Sequence, residues 1–279
     1  VQVEELGTLE TPIALTNTLN VGKVWDAMVD IVVEQCEQDG LEPMSINPVV
    51  GECNDSRINQ IQKRVVGADE VRQAFASASE EFEEGDVGAG AGTICYGLKG
   101  GIGSASRVIR IGEKEYTIGV LVQSNFGATE DFVLNGESVG AKILDWKQEK
   151  DDMAASEEDK GSIMSILATD LPLTSRQLRR ILRRTGVGIA RTGGYTGHGS
   201  GEVMIGFTTA NRIPSGAEEE LLQIQAIPEH VINRAFLAAA EAEQEAILNS
   251  MTAAERTRGQ AGELYYSLSE YLEDQDSKQ

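Results

Sequence analysis

Hydrophobic residues follow two different patterns along this chain. Apolar positions three and four residues apart, which place side chains on one face of a helix, predict helices over residues 24–38, 68–82, 175–190 and 227–251. Continuous apolar runs rich in β-branched residues, typical of strands buried on both faces, predict strands over residues 107–111, 116–122, 163–168 and 203–209. Asp69 and Thr174 stand where N-cap residues belong. The mixed order predicts an α+β protein with buried sheets flanked by pairs of helices.

One segment shows neither of these hydrophobic patterns. Residues 146–160, WKQEKDDMAASEEDK, are rich in charge and have no apolar repeat. Such a composition is typical of solvated chain rather than of a packed element. We therefore expect an exposed excursion between two strands here.

Composition and charge narrow the class of protein. A chain of 279 residues with 41% hydrophobic content can bury the core of a single folded body. The net charge of -21 excludes nucleic acid as an expected partner, because phosphates would be repelled. No run of 18 apolar residues occurs, so we expect no membrane span and a cytoplasmic protein. Cys36, Cys53 and Cys95 lack the spacing of a disulfide framework or zinc site. The serine chemistry considered below needs neither metal nor organic cofactor, and we expect none.

The candidate chemistry lies in residues 193–210, GGYTGHGSGEVMIGFTTA, where a glycine-rich turn leads into an apolar strand. Gly199 precedes Ser200, and a serine hydroxyl held beside a glycine can attack the carbonyl before it. Hydrolysis of the resulting ester would leave Ser200 as a new N-terminus whose amine is its own general base. The alternative interpretation is an ordinary loop entering a buried strand.

Other polar residues offer partners for a serine nucleophile. Tyr96 and Asn125 can each donate a hydrogen bond to an oxyanion, although a buried tyrosine and a turn asparagine are the ordinary alternatives. A Ser-His-Asp triad is poorly supported, because His198 is too close in sequence to Ser200 and His230 is the one other histidine. The glycines around Lys99 do not match a phosphate-binding loop, and close backbone approach explains them better.

Seven segments, taken together and in order, resemble the L-aminopeptidase/D-esterase family, which includes the β-aminopeptidases. They are LGTLETPIALTNTLNVG (6–22), VVGECNDSRIN (49–59), EEGDVGAGAGTICYGLKGGIGSASR (83–107), YTIGVLVQSNFG (116–127), ILATDLPLTSRQLRR (166–180), ARTGGYTGHGSGE (190–202) and AEQEAILNSM (242–251). The resemblance implies a four-layer αββα sandwich of the type shared with ornithine acetyltransferases, similar to but connected differently from the N-terminal nucleophile hydrolases. It also implies one catalytic body, residues 1–279, cut between Gly199 and Ser200 into residues 1–199 and 200–279.

The resemblance assigns further site residues. Tyr96 matches the family's active-site tyrosine, Glu84 an acidic position suited to a substrate ammonium, and Glu245 a carboxylate that carries protons. Glu241, Glu243 and Glu245 cannot all face one way on a helix, and we expect Glu245 to point inward. Two departures stand out. Glu243 occupies a position that is commonly Ser or Thr in the family, and the family's usual segment before residue 6 is absent.

The expected function is a self-processing serine aminopeptidase that acts on small peptides, amides or esters. Ser200 would be the nucleophile, and the processed heterodimers would assemble into a homo-oligomer. The alternative is a non-processing relative that keeps the fold as a binding or structural protein.

Overall fold

A computed structural model describes residues 2–150, 161–214 and 221–278, and it has a mixed α+β architecture. Its α-helices are α1 (Val21–Gln38), α2 (Ala68–Ser77), α3 (Gly140–Glu149), α4 (Ser175–Leu182), α5 (Thr185–Arg191), α6 (Asn233–Thr252) and α7 (Leu268–Ser277). Its longer strands are β1 (Ile13–Asn17), β2 (Val49–Cys53), β5 (Ile102–Ile111), β6 (Lys114–Asn125), β9 (Ser162–Thr169) and β10 (Gly201–Thr208). Two-residue strands complete the list: β3 (Ile94–Cys95), β4 (Leu98–Lys99), β7 (Val133–Leu134), β8 (Glu137–Ser138), β11 (Thr257–Arg258) and β12 (Leu264–Tyr265).

The central sheet has the strand order β10-β9-β6-β5. Strands β5, β6 and β9 pair antiparallel, whereas β9 and β10 run parallel. The register places Asn125, Ser162 and Gly201 in one row across β6, β9 and β10. This row marks the end of the sheet at which the candidate nucleophile lies.

Four layers are stacked around this sheet. Helices α4, α5 and α6 pack on one face of it, and the parallel β1–β2 pair covers the other. The two sheets meet where the Cys53 thiol lies 3.5 Å from the Ser162 carbonyl oxygen and where Met164 packs on Gly51. Helices α1 and α2 cover the outer side of β1 and β2 with a separate apolar cluster. This αββα order confirms the predicted sandwich.

The largest differences between the observed and the predicted helix boundaries are at three places. The segment 175–190 is two helices, because the chain turns at Arg183 and Arg184 before α5 begins. Helix α2 ends at Ser77, since Ala78 is extended and an acidic run follows it. Helix α6 begins at residue 233, after a 3₁₀ turn over Glu229–Val231.

The N-cap predictions had different outcomes. Thr174 caps α4, and its side chain accepts a hydrogen bond from the Gln177 backbone. The prediction for Asp69 was wrong, because Gly67 is the cap of α2. There the Glu70 carboxylate accepts from the Gly67 N–H at 2.8 Å, which satisfies a helix-end donor without Asp69.

The prediction of an exposed excursion fails at its first residues. Trp146 lies within α3 and is buried, with edge-to-face contacts to Tyr266 and Tyr271 at 5.0 and 5.5 Å between ring centroids. Residues 151–160 of that segment lie outside the described residues. In the described parts of the chain, no helix combines the length and apolar character needed to cross a bilayer.

Candidate active site

Ser200 ends an irregular loop and immediately precedes β10. The loop starts at Thr192, whose carbonyl oxygen accepts a hydrogen bond from Val133 at 2.9 Å. At its other end the Ser200 N–H donates to the Gly197 carbonyl, and the Gly201 N–H donates to the Gly161 carbonyl, both at 3.0 Å. Gly199 is exposed and Ser200 half-buried, so the peptide bond between them is open to water.

Asn125 lies at the same end of the sheet as Ser200. Asn125 on β6 and Gly201 on β10 are two strands apart in the sheet, which corresponds to about 10 Å between their backbones. The side-chain oxygen accepts from the Ile94 N–H at 3.0 Å, and the amide donates to the Asn54 carbonyl at 3.1 Å. Asn125 therefore ties two loops to the end of β6.

Tyr96 occupies a two-residue turn between β3 and β4. Tyr96 and Gly97 have φ angles of 50° and 68°, the left-handed pair of a type I′ hairpin turn. Gly97 is required there, because a Cβ would lie 2.1 Å from the Thr129 hydroxyl oxygen. For a tyrosine this backbone is unfavourable, and such strain is characteristic of functional sites.

Thr192 fixes the orientation of the Tyr96 hydroxyl. The two side-chain oxygens are 2.9 Å apart, and the Thr192 hydroxyl donates its one proton to the Ile189 carbonyl at 2.8 Å. The Tyr96 hydroxyl must then donate to Thr192. The Tyr96 ring packs on Phe126, Phe132 and Gly127. Sequence reasoning missed Thr192, although its place at the start of the glycine-rich loop was visible.

Glu84 lies toward the other edge of the sheet. Its carboxylate accepts from both the backbone N–H and the hydroxyl of Ser104, at 2.7 and 2.5 Å. Ser104 on β5 pairs with Leu121, about 14 Å along β6 from Asn125. The structure therefore does not bring Glu84 next to Ser200.

The orientation predicted for the acidic residues of α6 was wrong. Glu245 is half exposed and forms a 2.6 Å ion pair with Arg107. Arg107 lies on β5 opposite Ile118 of β6, and Ile118 is about 24 Å along β6 from Asn125. Glu243 is the inward residue. Its side chain is fully buried and accepts a 2.5 Å hydrogen bond from Ser165, and burial raises its pKa to about 8. The helix turns Glu243 toward the sheet, which a resemblance in sequence could not show.

The glycine-rich stretch surrounds a buried lysine. The Lys99 ammonium donates to the carbonyls of Gly90 and Gly100, both at 2.8 Å, and desolvation lowers its pKa to about 8. Gly101 and Gly103 abut neighbouring backbone so closely that a Cβ would lie within 2.3 and 2.1 Å of it. Close backbone approach accounts for these glycines, as predicted.

A cavity of about 720 Å³ opens between β1, α1 and α2. Its walls are mainly apolar, and they include Asp55, which lies against Gly92 of the glycine-rich loop. Asp55 follows Asn54, whose carbonyl accepts the hydrogen bond from Asn125. The cavity therefore reaches the residues that border the candidate site.

Glu202 is a second neighbour that the sequence reasoning missed. The Ser200 hydroxyl donates to its carboxylate at 2.5 Å. Glu202 is the second residue of β10, and Ser200 immediately precedes that strand. His198 is exposed and makes no hydrogen bond to Ser200 within the described residues.

The fold matches that of a variant among the N-terminal nucleophile hydrolases. The L-aminopeptidase D-Ala-esterase/amidase of Ochrobactrum anthropi, described as such a variant, superposes with a TM-score of 0.84 at 34% identity, over 93% of this chain and 71% of that one. The PH0078 protein of Pyrococcus horikoshii superposes with a TM-score of 0.88 at 46% identity, over 98% and 74%.

The family assignment rests on the sequence as well. The family model of peptidase family S58 matches residues 1–265. The β-peptidyl aminopeptidase BapA of Sphingosinicella xenopeptidilytica is 37% identical over 265 residues, which cover 92% of this chain and 66% of that relative's length. The chain belongs to peptidase family S58, as the sequence segments predicted.

Proposed function

We propose that this protein is an aminopeptidase that cuts its own chain between Gly199 and Ser200 and then uses Ser200 as nucleophile. The observation that carries this proposal is the placement of Ser200. It stands at the start of an edge strand, next to an exposed glycine and with its hydroxyl proton donated to a carboxylate. The relatives named as aminopeptidases support the reaction class.

Cleavage would create residues 1–199 and 200–279 and free the α-amine of Ser200. An α-amine titrates near 8, so its neutral form can accept the hydroxyl proton at ordinary pH. Ser200 would attack the carbonyl of a small peptide, amide or ester, and water would release the acyl group. These steps draw on groups of the chain and on water.

Tyr96 and Asn125 are proposed to stabilise the oxyanion. Both lie at the Ser200 end of the sheet, and the Tyr96 N–H donates to the carbonyl of Phe126, the neighbour of Asn125, at 2.8 Å. The Asn125 amide has two N–H groups, one of which donates to Asn54, and the other is proposed to face the substrate. The Tyr96 hydroxyl would turn from Thr192 to the oxyanion as charge develops.

The substrate's acyl side chain is proposed to enter the apolar cavity beside Asp55. Apolar walls with a few polar groups among them are typical of small-molecule sites. The processed heterodimers are proposed to form a homo-oligomer in the cytoplasm, and light scattering of the purified protein tests the assembly.

Intact mass tests the central proposal. The parent chain should give two fragments divided at Gly199, whereas Ser200→Ala should remain one chain of 30.0 kDa and release no p-nitroaniline from an aminoacyl anilide. Ser138→Ala, on the exposed strand β8, is the matched control and should behave like the parent. Cleavage of the Ser200→Ala chain at this bond would refute the proposal. A parent chain that stays uncut and inactive would favour a binding or structural role.

A further inference from the structure

The proposed self-cleavage lacks a base in the uncut chain. Before the Gly199–Ser200 bond breaks, the Ser200 nitrogen is an amide, and its N–H donates to the Gly197 carbonyl at 3.0 Å. An amide nitrogen has no basic lone pair, so it cannot take the hydroxyl proton. The base used in the mature enzyme therefore does not exist at the first step, and another group must serve.

Glu202 meets the geometric requirement for that group. Its carboxylate oxygen lies 2.5 Å from the Ser200 hydroxyl oxygen, within the range of a short, charge-assisted hydrogen bond. Both side chains are half-buried, which limits competition from water while leaving the site accessible. Among the described residues, Glu202 is the hydrogen-bond partner of the Ser200 side chain.

The other titratable groups near Ser200 are less well placed. Glu243 faces Ser165, which pairs with Met204 two residues beyond Glu202 on β10. Glu245 is held by Arg107 far along the sheet. His198 is exposed on the preceding loop.

Resting on the proposed function, we propose that Glu202 is the general base of self-cleavage. The Ser200 hydroxyl oxygen bonds to the Gly199 carbonyl carbon while its proton passes to the Glu202 carboxylate. Breaking of the Gly199–Ser200 C–N bond then returns that proton to the Ser200 nitrogen, which becomes the amine. Water hydrolyses the ester, giving a Gly199 carboxylate and restoring the Ser200 hydroxyl.

Glu202 is needed as a base only until cleavage frees the α-amine of Ser200. The freed nitrogen belongs to Ser200 itself and can take the hydroxyl proton during substrate turnover. Loss of Glu202 should therefore slow self-cleavage more than it slows turnover by the cut enzyme. This difference distinguishes a base for the first step from a residue that only supports the fold.

Time courses of cleavage by intact mass test the assignment. Glu202→Gln should cleave about 100-fold more slowly than the parent, the scale of a general base, and Glu202→Asp should cleave faster than Glu202→Gln because it keeps a carboxylate. Formate should accelerate cleavage of Glu202→Ala by replacing the missing carboxylate. Glu115→Gln, exposed near the start of β6 at the opposite end of the sheet, is the control and should cleave like the parent.

Glu202→Gln is then incubated until it is fully cut, and its turnover of an aminoacyl anilide is compared with that of the parent. Cleavage at the parent's rate, or an equal loss in cleavage and turnover, would overturn the role of Glu202. If Ser200→Ala still cleaves, the proposed function itself fails. If Ser200→Ala is blocked and Glu202→Gln cleaves normally, the failure is confined to Glu202. Circular dichroism checks that each variant is folded, and Glu202→Asp keeps the test decisive if the glutamine variant is not.

Discussion

Glu243→Gln should remove a specific pH dependence of stability. The Glu243 side chain is fully buried, and its Oε2 atom has no hydrogen-bond partner among the described residues. Desolvation raises its pKa from the ordinary 4.5 to about 8, so the folded protein holds this carboxyl neutral. Below pH 4.5 the folded and unfolded states are both protonated, and the contribution to stability is fully present.

As pH rises above 4.5, unfolding releases this proton, and the free energy of unfolding falls by about 1.4 kcal/mol per pH unit. The decline ends near pH 8, where the folded state also loses the proton. Between pH 6 and pH 8 it amounts to about 2 kcal/mol, which corresponds to about 4–8 °C in Tm for a protein of this size. Glutamine has nearly the same shape but no titration, so this part of the decline should vanish.

Thermal unfolding of the variants in a Ser200→Ala background, followed by circular dichroism from pH 5 to pH 9, measures the effect on one uncut chain. Glu245→Gln, an exposed residue two positions further along α6, is the control and should keep the parent's slope. As pH rises, the Tm of Glu243→Gln should fall less than the Tm of the parent or of Glu245→Gln. Curves that run parallel for the parent and Glu243→Gln would refute the assignment of a neutral, buried carboxyl.

The remaining predictions concern the candidate site. Tyr96→Phe removes an oxyanion donor and should lower kcat by roughly ten- to thousand-fold with little change in KM, and an unchanged kcat would exclude that role. Glu84→Gln weakens the hydrogen bonds to Ser104 and should lower Tm while KM stays unchanged. A KM raised for substrates with a free N-terminus, but not for N-acetylated ones, would instead support Glu84 as the site that binds the substrate ammonium. Ala74→Phe, at an exposed wall of the cavity, should lower kcat/KM for long acyl side chains and spare short ones, and equal losses for both would exclude the cavity.

The sequence predicted those parts of the structure that depend on local pattern. The strands β6, β9 and β10 and the helix α6 follow from apolar runs and helical spacing, and their order indicated the layered sandwich. The division of α4 from α5 was missed, because apolar spacing continues across Arg183 and Arg184 while the backbone turns.

The candidate site was predicted less completely, because it depends on contacts between distant segments. The glycines around Ser200 left an ordinary loop as the alternative, and the resemblance to the family made Ser200 the candidate nucleophile. The choice between Glu243 and Glu245 required the rotation of α6 against β9, which a helical period alone leaves open. Glu202 required its contact with the Ser200 hydroxyl, which the apolar pattern of the sequence does not show.

The pairing of β10 with β9 makes maturation dependent on folding. Eight residue pairs join these strands, and this pairing brings the Gly199–Ser200 bond to Gly161 and to its neighbours in the sheet. A chain in which β10 has not docked would lack this arrangement and, under the proposed chemistry, could not release the amine that turnover needs. Cleavage would then act as a checkpoint, so that a misfolded copy remains an inert precursor and only a correctly assembled molecule becomes a peptidase.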